Sequence, residues 1–219
     1  MDAILLAAGV GIRMRLGYPK QFLKINGKPI FIYSLEILQK CKKFNNVFIT
    51  CNKEYLEDYK SYIEEYHIKD TVCIIGGETR QESVKIALEY VKTDRVLIHE
   101  AARPLISVDF INDIIKEENE VAVIPTIPIK FTVAEGCEYM EKELNRERLH
   151  NIQLPQVFDT AILKSSHEKA VLDNYIATED GMLVFHYGNK VKFISGRESN
   201  IKVTTILDVE VVEKLLKLS

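Results

Sequence analysis

Five short apolar runs, at residues 2–7, 46–51, 72–75, 95–99 and 121–125, are separated by longer stretches in which apolar residues recur every three or four positions. That alternation constrains the chain more than any other feature. Short continuous apolar runs suit strands, whereas the three-to-four spacing suits helices buried on one side. Strand, helix, strand in succession is the pattern of βαβ units built around a mostly parallel sheet. Helices are expected at 29–40, 53–67, 80–91 and 108–118, with Pro29 in a first helical turn, where its missing N–H costs nothing. The alternation breaks at 126–147, a polar, irregular stretch containing the charge run Glu141, Lys142, Glu143, which reads as an excursion from the sheet. It resumes with helices at 159–169 and 178–187, strands at 190–195 and 201–204, and a closing helix at 207–218. No Pro/Gly/Ser-rich boundary divides two cores. The expectation is one α/β domain over residues 1–219, with a Rossmann-like, mostly parallel sheet, helices on both faces and a protruding arm at about 126–147.

Composition then removes several classes of function. Lys and Arg number 29 against 32 Asp and Glu, so there is no basic excess to hold nucleic acid by its backbone. No apolar run approaches the ~20 residues that cross a bilayer. Met1 and Asp2 lead straight into an apolar run with no basic segment before it, which reads as a first strand and not as an export signal. Cys41, Cys51, Cys73 and Cys137 are isolated from one another, with no CxxC pair and no His at metal-ligand spacing. They read as free thiols in a reducing cytoplasm. The expected partners are small molecules, with neither nucleic acid nor membrane among them.

Directly after the first strand comes Leu6-Ala7-Ala8-Gly9-Val10-Gly11-Ile12-Arg13-Met14, then Tyr18-Pro19-Lys20-Gln21-Phe22. Small residues at a strand end let a ligand approach the backbone, and glycines permit a turn whose N–H groups face anionic oxygens. Met14 stands where a dinucleotide fingerprint needs its third glycine, and no Gly-Lys-Ser/Thr follows, so neither common phosphate motif is present. Arg13 and Lys20 flank the glycines. Two cations beside such a loop, on a slightly acidic protein, point to a polyphosphate.

These residues resemble the start of the 2-C-methyl-D-erythritol 4-phosphate cytidylyltransferases, relatives of the ribitol-5-phosphate cytidylyltransferases. The resemblance continues through Gly76-Gly77-Glu78-Thr79-Arg80-Gln81-Glu82-Ser83-Val84, His99-Glu100-Ala101-Ala102-Arg103-Pro104, Pro155-Gln156-Val157-Phe158 and Asn200-Ile201-Lys202-Val203-Thr204. It implies an enzyme that transfers CMP from CTP to a polyol phosphate, releasing pyrophosphate. The substrate's own phosphate oxygen attacks the α-phosphorus, so the site has to supply cations and alignment, not a Ser-His-Asp or Cys-His nucleophile.

By the same resemblance, Arg13, Lys20 and Lys202 form the clamp on the reacting phosphates. Ala7, Ala8, Gly9, Gly11, Gly77, Glu78 and Ser83 hold the nucleotide, Arg103, Arg146 and Thr178 face the acceptor, and Glu100 binds Mg²⁺. Glu100 stands where the family has Asp, and Glu179 follows Thr178 where the family again has Asp. Leu154 replaces a threonine before Pro155, and no Asp-Thr pair follows Ile127-Pro128. The arm is expected to reach a second subunit and make a homodimer. The acceptor implied first is 2-C-methyl-D-erythritol 4-phosphate, an isoprenoid precursor. The alternatives are ribitol 5-phosphate or a similar polyol phosphate for cell-surface polymers, and a catalytically silent nucleotide-binding module.

Overall fold

The computed structural model describes residues 1–9 and 17–217. The expected site residues Gly11 and Arg13 lie outside the described residues. The chain runs through β1 (Asp2–Leu6), a 3₁₀ turn at Lys20–Phe22, the hairpin of β2 (Lys24–Ile25) and β3 (Lys28–Pro29), α1 (Ile30–Cys41), β4 (Val47–Cys51), a 3₁₀ turn at Lys53–Tyr55, α2 (Leu56–Glu65), β5 (Thr71–Ile75), α3 (Arg80–Leu88), β6 (Arg95–Glu100), α4 (Val108–Ile115) and β7 (Ala122–Pro128). A short antiparallel pair follows, β8 (Ala134–Gly136) with β9 (Met140–Glu143), then a 3₁₀ turn at Arg146–Arg148, β10 (His150–Ile152), β11 (Gln156–Asp159), α5 (Thr160–Leu172), α6 (Asp180–His186), β12 (Lys192–Ser195) and α7 (Ile206–Leu216).

The main sheet has eight strands in the order β10-β7-β11-β6-β1-β4-β5, with β12 on the free edge of β7. β1 pairs in parallel with β4 on one side and with β6 on the other. The strand order therefore reverses at β1, and the chain leaves its two neighbours in opposite directions. That is where open α/β sheets form a crevice at the strands' carboxyl ends. The central strands are apolar on both faces because both are covered. Leu5 and Ile49 pack beneath Phe31 and Leu35 of α1, Tyr59 of α2 and Phe110 of α4. Ile4, Ile74 and Ile98 pack beneath Val84 and Leu88 of α3, with Leu163 of α5 and Val184 of α6 alongside.

The expected fold class is thus observed, with corrections to particular elements. Pro29 is extended and stands before the first turn of α1 instead of within it. The helix expected at 53–67 begins as a 3₁₀ turn, because the Asn52 side chain accepts from Glu54 N–H and tightens the entry. β7 continues to Pro128, so the excursion leaves the sheet later than the composition suggested. β10 and β11 were not anticipated; β11 lies antiparallel between β6 and β7 and makes the sheet mixed at that end. Residues 201–204 form no strand. Val203 N–H donates to the Ala102 carbonyl at 2.8 Å, in the turn that follows β6 and not in the sheet. The four cysteines are free; Cys51 and Cys73 stand on the neighbouring strands β4 and β5, and the Cys51 thiol donates to the Ile49 carbonyl.

Candidate active site

An open cleft of about 660 Å³ lies over the carboxyl ends of β1, β4 and β6. Its floor is the end of β1, where Ala7 N–H is held by Thr50 and the Ala7 carbonyl accepts from the Tyr59 hydroxyl at 2.7 Å. Ala7 therefore backs the cleft, while Ala8 and Gly9 line it. The wall after β5 is a loop with no room for side chains. A Cβ on Gly76 would come within 2.6 Å of the Ala8 Cβ, and one on Gly77 would collide with the Glu82 side chain. The Ser83 hydroxyl accepts from Gly77 N–H at 3.1 Å and donates to the Thr79 carbonyl at 2.9 Å. Ser83 thus fixes the shape of the loop that also presents Gly77 and Glu78 to the cleft. Thr79 caps α3 by accepting from Glu82 N–H, and Glu82 in turn accepts from Glu78 N–H.

Lys20 and Lys202, 182 positions apart in the chain, both line the cleft. The Lys20 ammonium donates to the Val203 carbonyl at 3.0 Å, directly beside Lys202. The segment carrying Lys202 is tied down by side chains: Arg103 donates to the Asn200 carbonyl at 2.8 Å, and the Asn200 amide donates to the Leu154 carbonyl. Arg103 itself is buried and absent from the cleft lining, so its contacts are those of a strut.

Glu100, 6% exposed, closes the cleft between these parts. Its Oε2 lies 2.7 Å from the Lys202 ammonium, and its Oε1 lies 3.4 Å from Arg80 Nε. Burial alone would raise its pKa; Lys202, Arg80 and Arg103 outweigh that and hold it below the usual carboxylate value. Arg80 continues the network to Glu179 at 3.0 Å and Asp180 at 2.8 Å, and Asp180 contacts His167 at 3.2 Å. Burial, with Glu100 and Asp180 nearby, pushes the Glu179 carboxyl up to about 7 against the pull of Arg80. His99, at the end of β6, is fully buried and pushed down to about 4 by that burial, hence neutral. Its Nε2 meets the Arg103 carbonyl at 3.1 Å and so carries the proton. This is a packed strand-end histidine, as its position suggested.

The acceptor-side residues are less gathered. Thr178 is exposed just before α6, outside the cleft lining. Arg146 sits on the arm, donating to the Lys130 carbonyl at 3.3 Å. Leu154 is fully buried in the core beneath α3 and α5, so its side chain faces away from the cleft. Arg80, Gln81, Asp180 and Asn200 organise the site although the sequence reading gave them no role of their own, because most of their partners lie roughly 50 to 100 positions away.

Among the described residues, no group of three His, Cys, Asp or Glu could hold a metal ion. Magnesium does not require one, since it commonly takes one or two carboxylates with substrate phosphates and water. Glu100 fits that mode. Its Oε2 is met by Lys202 at 2.7 Å and by Arg103 Nε at 3.9 Å, and Lys202 is a cation that a bound phosphate would compete for.

A family profile described as 2-C-methyl-D-erythritol 4-phosphate cytidylyltransferase (IspD) matches residues 1–218. Curated proteins of that name are similar over almost their whole length. The protein from Dictyoglomus thermophilum is 37% identical, covering 99% of this chain and 96% of its own. That from Bacillus cytotoxicus is 35% identical, covering 97% and 96%. Among solved structures, the 4-diphosphocytidyl-2C-methyl-D-erythritol synthase of Anaerococcus prevotii superposes with a TM-score of 0.87 at 26% identity, covering 99% of this chain and 97% of that one. The Thermus thermophilus cytidylyltransferase superposes with a TM-score of 0.80 at 26% identity, covering 99% and 100%. With residues from four of the five motifs lining one cleft at the sheet's switch point, this chain belongs to the 2-C-methyl-D-erythritol 4-phosphate cytidylyltransferase family.

Proposed function

We propose that this protein transfers CMP from CTP to 2-C-methyl-D-erythritol 4-phosphate, yielding the CDP-linked polyol and pyrophosphate for isoprenoid precursor synthesis. The observation that carries this reading is the meeting of Lys20 and Lys202 in one cleft, within a chain matched to the family from end to end. An acceptor phosphate oxygen forms the new bond to the α-phosphorus, and the bond from that phosphorus to the bridging oxygen of the β-phosphate breaks. The electron pair leaves with pyrophosphate. No base is needed, which agrees with a neutral, buried His99. Negative charge must instead be neutralised as two phosphates meet, and fixed ammonium groups do this without reorganising at the moment of reaction. Arg13 joins the two lysines in this role by resemblance.

Gly77, Glu78 and Ser83 supply the cytosine side, and Gly9 and Gly11 the phosphate side. Thr178, with Arg103 behind the Lys202 segment, serves the acceptor. Glu100 would hold Mg²⁺, whose contribution when bound is to neutralise the triphosphate. Lys202, now paired with Glu100, would then be available to the phosphates.

The arm supports a homodimer. Phe131, Tyr139 and Met140 are 81%, 78% and 77% exposed, and a second copy would cover them and receive Arg146 at its acceptor side. A reducing cytoplasm suits the free Cys41 and Cys51 thiols, and no helix among the described residues is long and apolar enough to cross a membrane. Pyrophosphate release from CTP tests the function, with 2-C-methyl-D-erythritol 4-phosphate and ribitol 5-phosphate compared as acceptors. Release with the first and at least tenfold less with the second is expected. Equal or reversed rates would overturn the acceptor, and no release with either would favour a silent nucleotide-binding module.

A further inference from the structure

The first turn of α3 carries two side chains that point away from the nucleotide loop and grip a distant segment. The Gln81 carboxamide uses both ends on one stretch of backbone: Nε2 donates to the Tyr175 carbonyl at 3.0 Å, and Oε1 accepts from Ala177 N–H at 2.9 Å. It replaces a strand partner for a stretch that has none. Beside it, the Arg80 guanidinium reaches Glu179 at 3.0 Å and Asp180 at 2.8 Å, and a third contact of 3.4 Å runs to Glu100 in the cleft. Asp180 is 1% exposed and is backed by His167. Adjacent residues of one helical turn therefore hold residues 175 and 177 on one side of Thr178, and 179 and 180 on the other.

The same turn belongs to the nucleotide loop. Thr79 caps it, Ser83 bonds Gly77, and Glu82 bonds Glu78. We infer that Arg80 and Gln81 are positioning residues that fix the 175–180 segment, and with it Thr178, relative to the loop formed by residues 76–79. The inference rests on the proposed placing of the acceptor at Thr178. It gives one helical turn two duties, shaping the nucleotide loop with Ser83 and Glu82 and setting the acceptor segment with Arg80 and Gln81. A staple serving stability alone would not distinguish the two substrates. A positioning pair would, because the loop keeps Ser83, Glu82 and Thr79 when Gln81 is removed.

The test is Gln81→Ala, with Gln81→Glu as a second variant that keeps the shape and the acceptor oxygen but loses the donor to Tyr175. Steady-state pyrophosphate release gives KM for each substrate, and hydrogen exchange of the substrate-free proteins reports on the segment. The expected result is a rise of about tenfold in the acceptor KM for Gln81→Ala, a smaller rise for Gln81→Glu, and a CTP KM within twofold of the parent. Amides at 175–180 should exchange faster while those at 76–83 stay unchanged. Equal rises in both KM values, or an unchanged acceptor KM with faster exchange, would reduce Gln81 to a structural staple and overturn the inference. Failure of the parent with every polyol phosphate offered would refute the acceptor assignment instead. Exchange would then decide the Gln81 contact by itself, with unaltered exchange at 175–180 overturning it. If Gln81→Ala does not fold, Gln81→Glu carries the same comparison.

Discussion

Around the cleft, charged groups are buried and each is answered by another: Glu100 by Lys202, Arg80 and Arg103, and Asp180 by Arg80 and His167. Along the arm nothing of the kind occurs. No residue from 127 to 152 is buried, and the arm's aromatic side chains face outward with its charges. An isolated two-stranded hairpin such as β8 and β9 is marginal in water. The cleft is specified within one chain, whereas the arm is held by few contacts of its own and is the part that the proposed second copy would cover. The catalytic half of the site and the half that selects the acceptor are therefore expected to fail in different ways.

The largest expected effect falls on the cleft. Lys20→Ala and Lys202→Ala should each lower turnover by roughly 10²–10³, the usual cost of losing one preorganised group that stabilises transition-state charge. Melting temperature should change little for Lys20→Ala. Lys202→Ala leaves Glu100 without its nearest cation and should be the less stable of the two. Near-parental turnover of either folded variant would remove that lysine from the mechanism.

The arm should break next. Replacing Phe131, Tyr139 and Met140 together by serine should dissociate the proposed dimer, as read by sedimentation. The acceptor KM should rise about tenfold while the CTP KM holds. A monomeric parent, or a variant that dissociates with both constants unchanged, would show that the arm does not complete the site.

Glu100 sharpens the contrast from the cleft side. Glu100→Gln keeps the shape and removes the charge that faces Lys202 and the metal, so activity should fall several-fold and recover in part at high Mg²⁺. Glu100→Asp withdraws the carboxylate by one methylene from the 2.7 Å contact with Lys202. It should perform below the parent if the backbone has receded around the longer side chain, and at or above it if the family's geometry is retained. Three superimposable Mg²⁺ titrations would exclude Glu100 as a metal ligand.

The smallest effect is on stability. Because burial raises the Glu179 carboxyl to about 7, the folded state binds its proton more tightly than the unfolded chain does. Its contribution is therefore most favourable below about pH 4.5 and is lost as pH rises through 7. Glu179→Gln mimics the protonated form. Its melting temperature should match the parent's at pH 4.5 and exceed it by a few degrees at pH 8; parallel curves would show that Glu179 does not titrate in this range.

Elements whose signal is local were legible in the sequence. β1, β4, β5 and β6 are continuous apolar runs, and α3 and α7 follow Thr79 and Thr205, both of which cap in the structure. β10 and β11 are short and interrupted by Pro155, and their pairing with β6 and β7 arises from tertiary contact. Residues 201–204 look like a strand because Ile201 and Val203 are apolar, yet Val203 packs with Ile25, Ile30 and Val212 under α7 instead of joining the sheet. At the site, the motifs located Lys20, Gly77, Glu100 and Lys202. They could not reveal that Arg103 turns behind the cleft to Asn200, or that Leu154 faces the core, because side-chain direction depends on the fold as a whole.

The capping box of α7 reaches farther than its helix. The Asp208 carboxylate accepts from Thr204 N–H at 2.8 Å, the Thr204 hydroxyl at 2.7 Å and Thr205 N–H at 2.7 Å, gathering the chain just after Lys202 into a knot at the helix entrance. Every residue that lines the cleft lies at or before Thr204. A stop codon or proteolytic cut after Thr205 would therefore spare the whole lining and remove the Asp208 anchor at its end. The Lys202 ammonium would remain in the molecule, held from the Asn200 side and through Val203 but no longer from the helix side. If Lys202 acts as proposed, the final helix serves turnover without approaching the substrate, and truncation there should be read in turnover before it is read in CTP affinity.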